Sequence, residues 1–362
     1  MQEILLFLCR LVKTSLSLYS ISNHFSDMNN YLVNPKASNA FTSETMHKVV
    51  LNNIDFELPG DELSPLTTPN PCFNDSCTNY VYISDKLKEF YPGTYKRLTK
   101  LFEVMEIAWG EAKGTKDIWI RDYMPIQLDE EKYLVYKYDP DYLKGTSQKY
   151  VTDENDVLAI CKQIFDGKNF VVHWHTCHKL DGGNVVTIAH FRVLTEKVFI
   201  ENGKVIDDND FYQHLESLLH SHVIILPWHC DNPEEPNADV YGHADGLVKW
   251  TGGNHVLMSN HRDFDSNEAN EIRRRLENAG FEVTEMLFDV PTPNRDLNWA
   301  YINYLQVGNK IIVPTFGIPE DKQALKYIRE SNPLCVVKGF RMRDIVRNGG
   351  ALHCITWNIK KN

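Results

Sequence analysis

The sequence predicts a mixed α/β protein in which one structural unit occurs five times. Over Thr78–Asn358, a strand, a helix, a second strand and a polar loop follow one another in the same order, at intervals of roughly 50–65 residues. No linker rich in Pro, Gly or Ser divides this region. One such unit cannot bury both faces of its strands, whereas five units in a ring can, as in a propeller. A doubly wound α/β sheet, which also alternates strands and helices, is the alternative.

The first strand of each unit is rich in β-branched and aromatic residues. These strands are predicted at Thr78–Ser84, Tyr133–Tyr138, Lys197–Glu201, His255–Ser259 and Lys310–Phe316.

The helix of each unit carries apolar residues at helical spacing between helix start and stop residues. Ser266 is the predicted N-cap of the fourth helix and Gly280 follows its end. The five helices are predicted at Tyr91–Phe102, Glu154–Phe165, Asp210–Leu219, Ser266–Ala279 and Glu320–Glu330.

The second strands and the polar loops complete the units. In a ring, loops at equivalent positions meet near the axis, which assembles one active site from residues far apart in sequence. The second strands are predicted at Val104–Trp109, Phe170–His175, His222–Trp228, Phe281–Phe288 and Cys335–Gly339. The loops are Trp119–Pro125, Leu180–Asn184, Tyr241–Asp245, Asn298–Asn303 and Gly349–Cys354.

Composition limits the class of protein. Of the 362 residues, 43% are hydrophobic and 24% are charged, as in a globular protein, and the net charge of -11 disfavours a nucleic-acid partner. No apolar stretch reaches the ~18 residues of a membrane span, and basic residues interrupt the apolar N-terminal run, so residues 1–27 make a poor secretory signal. We expect a cytoplasmic protein, with residues 1–45 as a poorly ordered extension outside the core and residues 46–362 as a single domain.

Metal binding is not expected. The eight cysteines are scattered, and the densest group of ligand-type residues is the run His173, His175, Cys177 and His178. Alternate residues of a strand point to opposite faces, so one strand cannot direct all four at one ion.

Cys354 is the candidate nucleophile. It follows a loop with two glycines, a favourable place to present a side chain, although most cysteines are buried structural residues. A catalytic cysteine reacts as the thiolate and needs a partner such as histidine. The adjacent His353 is a poor base for Cys354, because neighbouring strand residues face apart.

A second set of side chains supplies a base and acids. His243 and Asp245 are two residues apart and share a face if the chain is extended there. Buried carboxylates without a metal need a cationic partner. A guanidinium is planar and pairs with carboxylates in bidentate fashion, so Asp122, Asp245 and Asp181 with a Cys and a His suit attack on a guanidinium carbon.

The loop motifs resemble those of the guanidino-group-modifying superfamily, and most closely agmatine deiminase. The resemblance covers about residues 78–358, with the motifs in the family's order. They are Trp119-Ile-Arg-Asp122, Asp181-Gly-Gly-Asn184, Gly242-His-Ala-Asp245, Asn303, Ile312-Val-Pro-Thr-Phe316 and Gly349-Gly-Ala-Leu-His-Cys-Ile-Thr356.

The resemblance implies a fivefold α/β propeller, the pentein fold, with the active site on the central axis. It implies that residues 46–362 are a deiminase catalytic domain that converts agmatine to N-carbamoylputrescine and ammonia without a metal or organic cofactor. Cys354 would form a covalent thiouronium intermediate, with His243 transferring protons and Asp122 and Asp245 holding the guanidinium. A homodimer is common in such families. The implied substrate-binding residues are Trp119, Asp181, Gly350 and Asp239.

Three departures from the family pattern concern specificity. Asp181 stands where the family usually has Glu, Tyr123-Met-Pro125 replaces an aromatic followed by Gly-Pro, and Lys249-Trp250 replaces Arg-Phe. Peptidyl-arginine is therefore an alternative substrate. An amidinotransferase and a non-catalytic binding protein are further alternatives, although the intact Cys354 and His243 argue against the latter.

Overall fold

The computed structural model describes residues 47–51, 54–58, 73–140, 143, 148–165, 171–228 and 242–361, with the backbone alone at 47–51, 54–58, 148 and 171–177. Residues Met46–Asn362 belong to one compact unit. The predicted extension, residues 1–45, lies outside the described residues. Among the described helices, none combines the length and apolar character needed to cross a membrane.

Seventeen strands lie in the described part of the chain. They are β1 (His47–Leu51), β2 (Ile54–Leu58), β3 (Tyr80–Ser84), β4 (Ala108–Ala112), β5 (Ile126–Gln127), β6 (Lys132–Lys137), β7 (Val171–Lys179), β8 (Val186–Ile188), β9 (Phe191–Thr195), β10 (His222–Leu226), β11 (Val248–Gly252), β12 (His255–Met258), β13 (Glu282–Glu285), β14 (Leu305–Val307), β15 (Lys310–Thr315), β16 (Val336–Arg341) and β17 (Thr356–Ile359).

The α-helices of the described residues include both long connecting helices and single turns at loops. They are α1 (Asp85–Phe90), α2 (Pro92–Val104), α3 (Ile120–Tyr123), α4 (Glu154–Phe165), α5 (Lys197–Glu201), α6 (Asn209–Leu219), α7 (Ser266–Asn278), α8 (Arg295–Asn298), α9 (Glu320–Ser331) and α10 (Arg343–Val346).

The described strands form five sheets, and the same pairing occurs in each of them. A central strand pairs antiparallel with one neighbour and parallel with the other, as β15 does with β14 and β16. The central strands are β3, β6, β9, β12 and β15. The parallel partner follows its central strand across a connection that contains a helix, as parallel pairing requires. The prediction of a mixed α/β protein is confirmed.

Two pairings join distant parts of the chain. The C-terminal strand β17 is the antiparallel partner of β3, with Thr356 opposite Ile83 and Ile359 opposite Tyr80. The sheet of β5, β6 and β7 is extended to five strands because β2 pairs parallel with β7 and β1 pairs with β2. The pairing of β17 with β3 hydrogen-bonds the end of the region Thr78–Asn358 to its beginning.

One predicted strand is a helix. Lys197–Glu201 forms α5, and the central strand of that sheet precedes it at Phe191–Thr195. The physical reason lies in the ends of the segment. Lys197 and Glu201 are four residues apart, a spacing that places both on one helix face, and they form an ion pair in the structure.

Other boundaries shift by a few residues. The helix α2 starts at Pro92, where the missing N–H costs nothing, and continues to Val104, so the strand predicted at Val104–Trp109 starts only at Ala108. Asp265 rather than Ser266 caps α7, with its carboxylate accepting two backbone N–H groups. The predicted bounds of α4 are confirmed.

Candidate active site

The candidate residues lie on short helical turns between strands. Asp122 lies on α3, Asp181 precedes the 3₁₀ helix Gly182–Asn184, and His243 precedes the 3₁₀ helix that contains Asp245. Cys354 lies two residues before β17. Each of these turns is buried, so the folding of the sheets carries the polar side chains into the interior.

Gly183 marks the point where three of these side chains meet. A methyl group on Gly183 would lie 2.5 Å from Oδ1 of Asp122, 2.7 Å from Nδ1 of His243 and 3.5 Å from Oδ2 of Asp245. The backbone N–H of Gly183 donates to Oδ1 of Asp122 at 3.1 Å. A glycine at this position therefore permits the convergence of two carboxylates and an imidazole that the sequence predicted.

Asp122 is a buried acid in a crowded site. Burial, with a smaller contribution from the neighbouring Asp181 and Asp245, raises the pKa of its carboxyl to about 8 against the opposing effect of His243. Because loss of the proton leaves a buried negative charge, a cation that arrives beside the carboxyl would favour its ionised form.

His243 lies between two carboxylates. Its Nε2 is 2.9 Å from Oδ2 of Asp181, and its Nδ1 is 3.6 Å from Oδ1 of Asp122. Burial lowers the pKa of the imidazole, but Asp122 and Asp181 outweigh it and raise the pKa to about 9. At rest the side chain is an imidazolium, which can donate a proton to a leaving group.

The carboxylate of Asp245 contacts two consecutive residues, His353 and Cys354. Its Oδ2 accepts a hydrogen bond of 2.6 Å from Nδ1 of His353 and lies 3.6 Å from Sγ of Cys354. Burial opposes ionisation, but the hydrogen bond from His353 and the surrounding positive charge hold the pKa of Asp245 below its usual value. Asp245 is therefore an ionised carboxylate at rest.

The thiol of Cys354 has acceptors on two sides. Its Sγ lies 3.4 Å from Oδ1 of Asn303, which also accepts the backbone N–H groups of His353 and Cys354. Burial raises the pKa of the thiol well above its usual range, and the charges of Asp245 and Asp122 act in the same direction. Cys354 is thus a thiol at rest, and a positive charge near Sγ would favour its ionisation.

The remaining predicted residues differ in what surrounds them. A methyl group on Gly350 would lie 2.3 Å from Cζ3 of Trp119, so the indole ring packs directly on the glycine. Asp181, predicted to bind substrate, contacts His243 and the ammonium of Lys197. Asp239 lies outside the described residues.

Sequence reasoning missed two residues at this site. The sequence suggests His353 only as a base for Cys354, because its bond to Asp245 depends on tertiary structure. The strand predicted at Lys197 overlooks the spacing of Lys197 to Glu201, which is a helical signal. Within the described part of the chain, no group of three or more His, Cys, Asp or Glu could hold a metal ion, and the absence of a cofactor stays a prediction.

One family model and several known proteins match the sequence of this chain. The model of the family described as Porphyromonas-type peptidyl-arginine deiminase matches residues 91–359. A Listeria monocytogenes protein named "Putative agmatine deiminase 2" is 23% identical over 312 residues, which cover 74% of this chain and 79% of that protein.

Solved structures share the fold. The agmatine deiminase of C. jejuni, as a cysteine-to-serine variant with substrate bound, is 18% identical with a TM-score of 0.63, and the match covers 80% of this chain and 96% of that one. The agmatine deiminase of Enterococcus faecalis is 17% identical, with the same TM-score of 0.63 and the same shares covered.

Proposed function

The chain belongs to the Porphyromonas-type peptidyl-arginine deiminase family, and from this premise we propose that it is a hydrolase that deiminates a guanidinium substrate. Agmatine is the first candidate, with N-carbamoylputrescine and ammonia as products. The observation that carries the proposal is the meeting of Asp122, His243 and Asp245 around Gly183, with the thiol of Cys354 on Asp245.

The charges of the pocket suit a planar cation. Asp245 is ionised, and Asp122 gives up its proton when a positive charge replaces it. The same positive charge favours the thiolate of Cys354, because it cancels the repulsion from the two carboxylates. Substrate binding would therefore create the nucleophile in the place where it is used.

The reaction is proposed in two halves. The thiolate of Cys354 forms an S–C bond to the guanidinium carbon, and the His243 imidazolium gives its proton to one amino group. The C–N bond to that group breaks, ammonia leaves, and a thiouronium remains on the sulfur. Neutral His243 then takes a proton from water, and the hydroxide adds to the same carbon. The S–C bond breaks, the ureido product and the thiolate are released, and the proton lost from the new hydroxyl converts ammonia to ammonium.

Peptidyl-arginine is a second candidate substrate, because the matching family model carries that activity in its description. Agmatine and peptidyl-arginine both present a terminal guanidinium. They differ in what lies at the other end of the substrate.

We also propose that the five sheets surround a common axis as a fivefold propeller, with the active site on that axis. The repeated strand pairing and the bond between β17 and β3 support this arrangement.

Ammonia release tests the function. The wild-type protein is incubated with agmatine, free arginine and an arginine peptide, with and without glycine as an amidino acceptor. We expect ammonia and a ureido product from agmatine, loss of both in Cys354→Ala, and wild-type rates in the control Cys335→Ala, whose half-buried thiol lies 4.0 Å from Nε2 of Gln306. A folded protein that releases no ammonia from any guanidinium would refute the proposal, and an amidinated glycine would identify a transferase.

A further inference from the structure

Lys197 is a fully buried lysine behind the candidate active site. It is the first residue of α5, and its side chain has no exposed surface. Its Nζ lies 2.5 Å from Oε1 of Glu201, one turn further along the same helix, and 3.4 Å from Oδ2 of Asp181. Burying an ammonium costs free energy unless carboxylates pair with it, and Glu201 and Asp181 provide that pairing for Lys197.

The atom that Lys197 approaches also contacts the imidazole. Oδ2 of Asp181 lies 2.9 Å from Nε2 of His243 and 3.4 Å from Nζ of Lys197. Oδ2 of Asp181 therefore lies between the ammonium of Lys197 and the imidazole of His243, the proposed proton-transfer group. Asp181 is itself buried, so little solvent screens the charges from one another.

We propose that Lys197 is a positioning residue of the deiminase reaction: it fixes Asp181 against His243 and weakens the hold of that carboxylate on the imidazole proton. The inference rests on the proposed function. It assigns no contact between Lys197 and the substrate, because the ammonium acts through Asp181.

Several charged groups surround His243 in the described part of the chain. Asp122 on α3, Asp181 before the 3₁₀ helix Gly182–Asn184 and Asp245 on the next 3₁₀ helix are negative or become negative when they titrate. Lys197 on α5 is the positive group that acts on the imidazole, and Glu201 stands behind it. His353 and Cys354 reach this cluster through Asp245.

The charge of Lys197 matters most in the second half of the reaction. Neutral His243 must take a proton from water, so an imidazole that keeps its own proton too strongly cannot act as a base. The two flanking carboxylates raise the pKa of His243, and Lys197 opposes them. Without that opposing charge, the carboxylates alone would hold the imidazolium to higher pH.

A variant series separates this role from a merely structural one. Lys197→Met removes the charge, Lys197→Arg keeps it, and Glu201→Gln removes a negative charge beside it. The ionisation midpoint of His243 is measured by NMR without substrate and identified by its loss in His243→Asn. The pH profile of kcat for ammonia release is measured in parallel.

The expected shifts have opposite signs. Lys197→Met should raise the His243 midpoint and the ascending limb of the kcat profile by about one pH unit, because a positive charge 3.4 Å from the carboxylate oxygen that contacts the imidazole is lost. Lys197→Arg should stay close to wild type, and Glu201→Gln should lower the midpoint. KM should change less than kcat in all three variants.

The outcomes distinguish the two proposals. An unchanged or lowered His243 midpoint in folded Lys197→Met would overturn the role of Lys197. If Lys197→Met does not fold, an unchanged or raised midpoint in Glu201→Gln would overturn it. Absence of ammonia from every substrate with the wild type would instead overturn the proposed function, while the NMR titration would still decide the coupling of Lys197 to His243.

Discussion

The carboxylate of Asp245 accepts a 2.6 Å hydrogen bond from Nδ1 of His353, the residue directly before the proposed nucleophile. Burial and the nearby cations Arg121 and Lys249 lower the pKa of His353 to about 4, so the imidazole is neutral at physiological pH. A neutral ring with its proton on Nδ1 can donate to Asp245 without competing with a cationic substrate for its charge. We therefore propose that His353 orients the carboxylate of Asp245 rather than activating the sulfur of Cys354.

Removal of this donor should weaken substrate binding. In His353→Ala we expect KM for agmatine to rise about tenfold to a hundredfold, because a charge-assisted hydrogen bond that holds the carboxylate is lost. His353→Asn is the matched control, since an amide nitrogen can replace Nδ1, and it should retain a lower KM than His353→Ala. Steady-state kinetics would contradict the role of His353 if both variants kept the wild-type KM.

Substrate binding should release a proton from Asp122. The pKa of this buried carboxyl is raised to about 8, and only the ionised form pairs with a guanidinium. Below pH 8 the affinity for agmatine should therefore fall, by up to about tenfold per pH unit. Calorimetry on Cys354→Ala, in buffers of different ionisation enthalpy, measures both quantities. A Kd that does not depend on pH between 6 and 8 would contradict this assignment, and Asp122→Asn should abolish the proton release.

A methyl group added at Gly350 should disrupt the contact between this glycine and Trp119. In Gly350→Ala the added carbon would lie 2.3 Å from the indole, so the ring must move away from Gly350. We expect kcat/KM to fall about tenfold or more and the free energy of unfolding to fall by about 1–3 kcal/mol. Gly93→Ala is the control, because the nearest atom is 3.6 Å away on the flexible Arg97 side chain. Equal activity in the two variants would exclude a role for this contact.

Asp117 should destabilise the folded protein at neutral pH. Burial raises its pKa to about 7, although its carboxylate accepts a hydrogen bond from the backbone N–H of Trp119. The folded state thus binds this proton more tightly than the unfolded chain does, and the contribution to stability falls as pH rises from about 4 to about 7.

Asp117→Asn keeps an acceptor for Trp119 and removes the ionisation. At pH 8 we expect the free energy of unfolding to rise by about 1–3 kcal/mol relative to wild type, because the cost of a buried charge is avoided. Chemical denaturation at several pH values measures the difference. It should shrink as pH approaches 4, and a difference that is constant with pH would contradict the explanation.

Local sequence patterns are sufficient to predict several elements of the fold. The apolar spacing of Glu154–Phe165 was sufficient to predict α4 with its observed bounds. Gly280, with φ of +92°, follows α7 as predicted, because a glycine adopts this backbone conformation at no steric cost. The sequence pattern predicts the wrong element at Lys197–Glu201. The apolar residues between its ends suit a strand, whereas the end residues form an ion pair at helical spacing in the structure.

The sequence by itself determined which functional groups this protein has and in which loops they occur: a thiol, an imidazole and acids in polar segments that follow strands. Tertiary structure alone decided their partners. Asp181 lies on His243 and Lys197, His353 lies on Asp245, and Asn303 lies on Cys354. Each of these contacts joins residues that are far apart in sequence, and its geometry depends on how the elements pack, because burial and neighbouring charge are properties of the folded chain rather than of any segment.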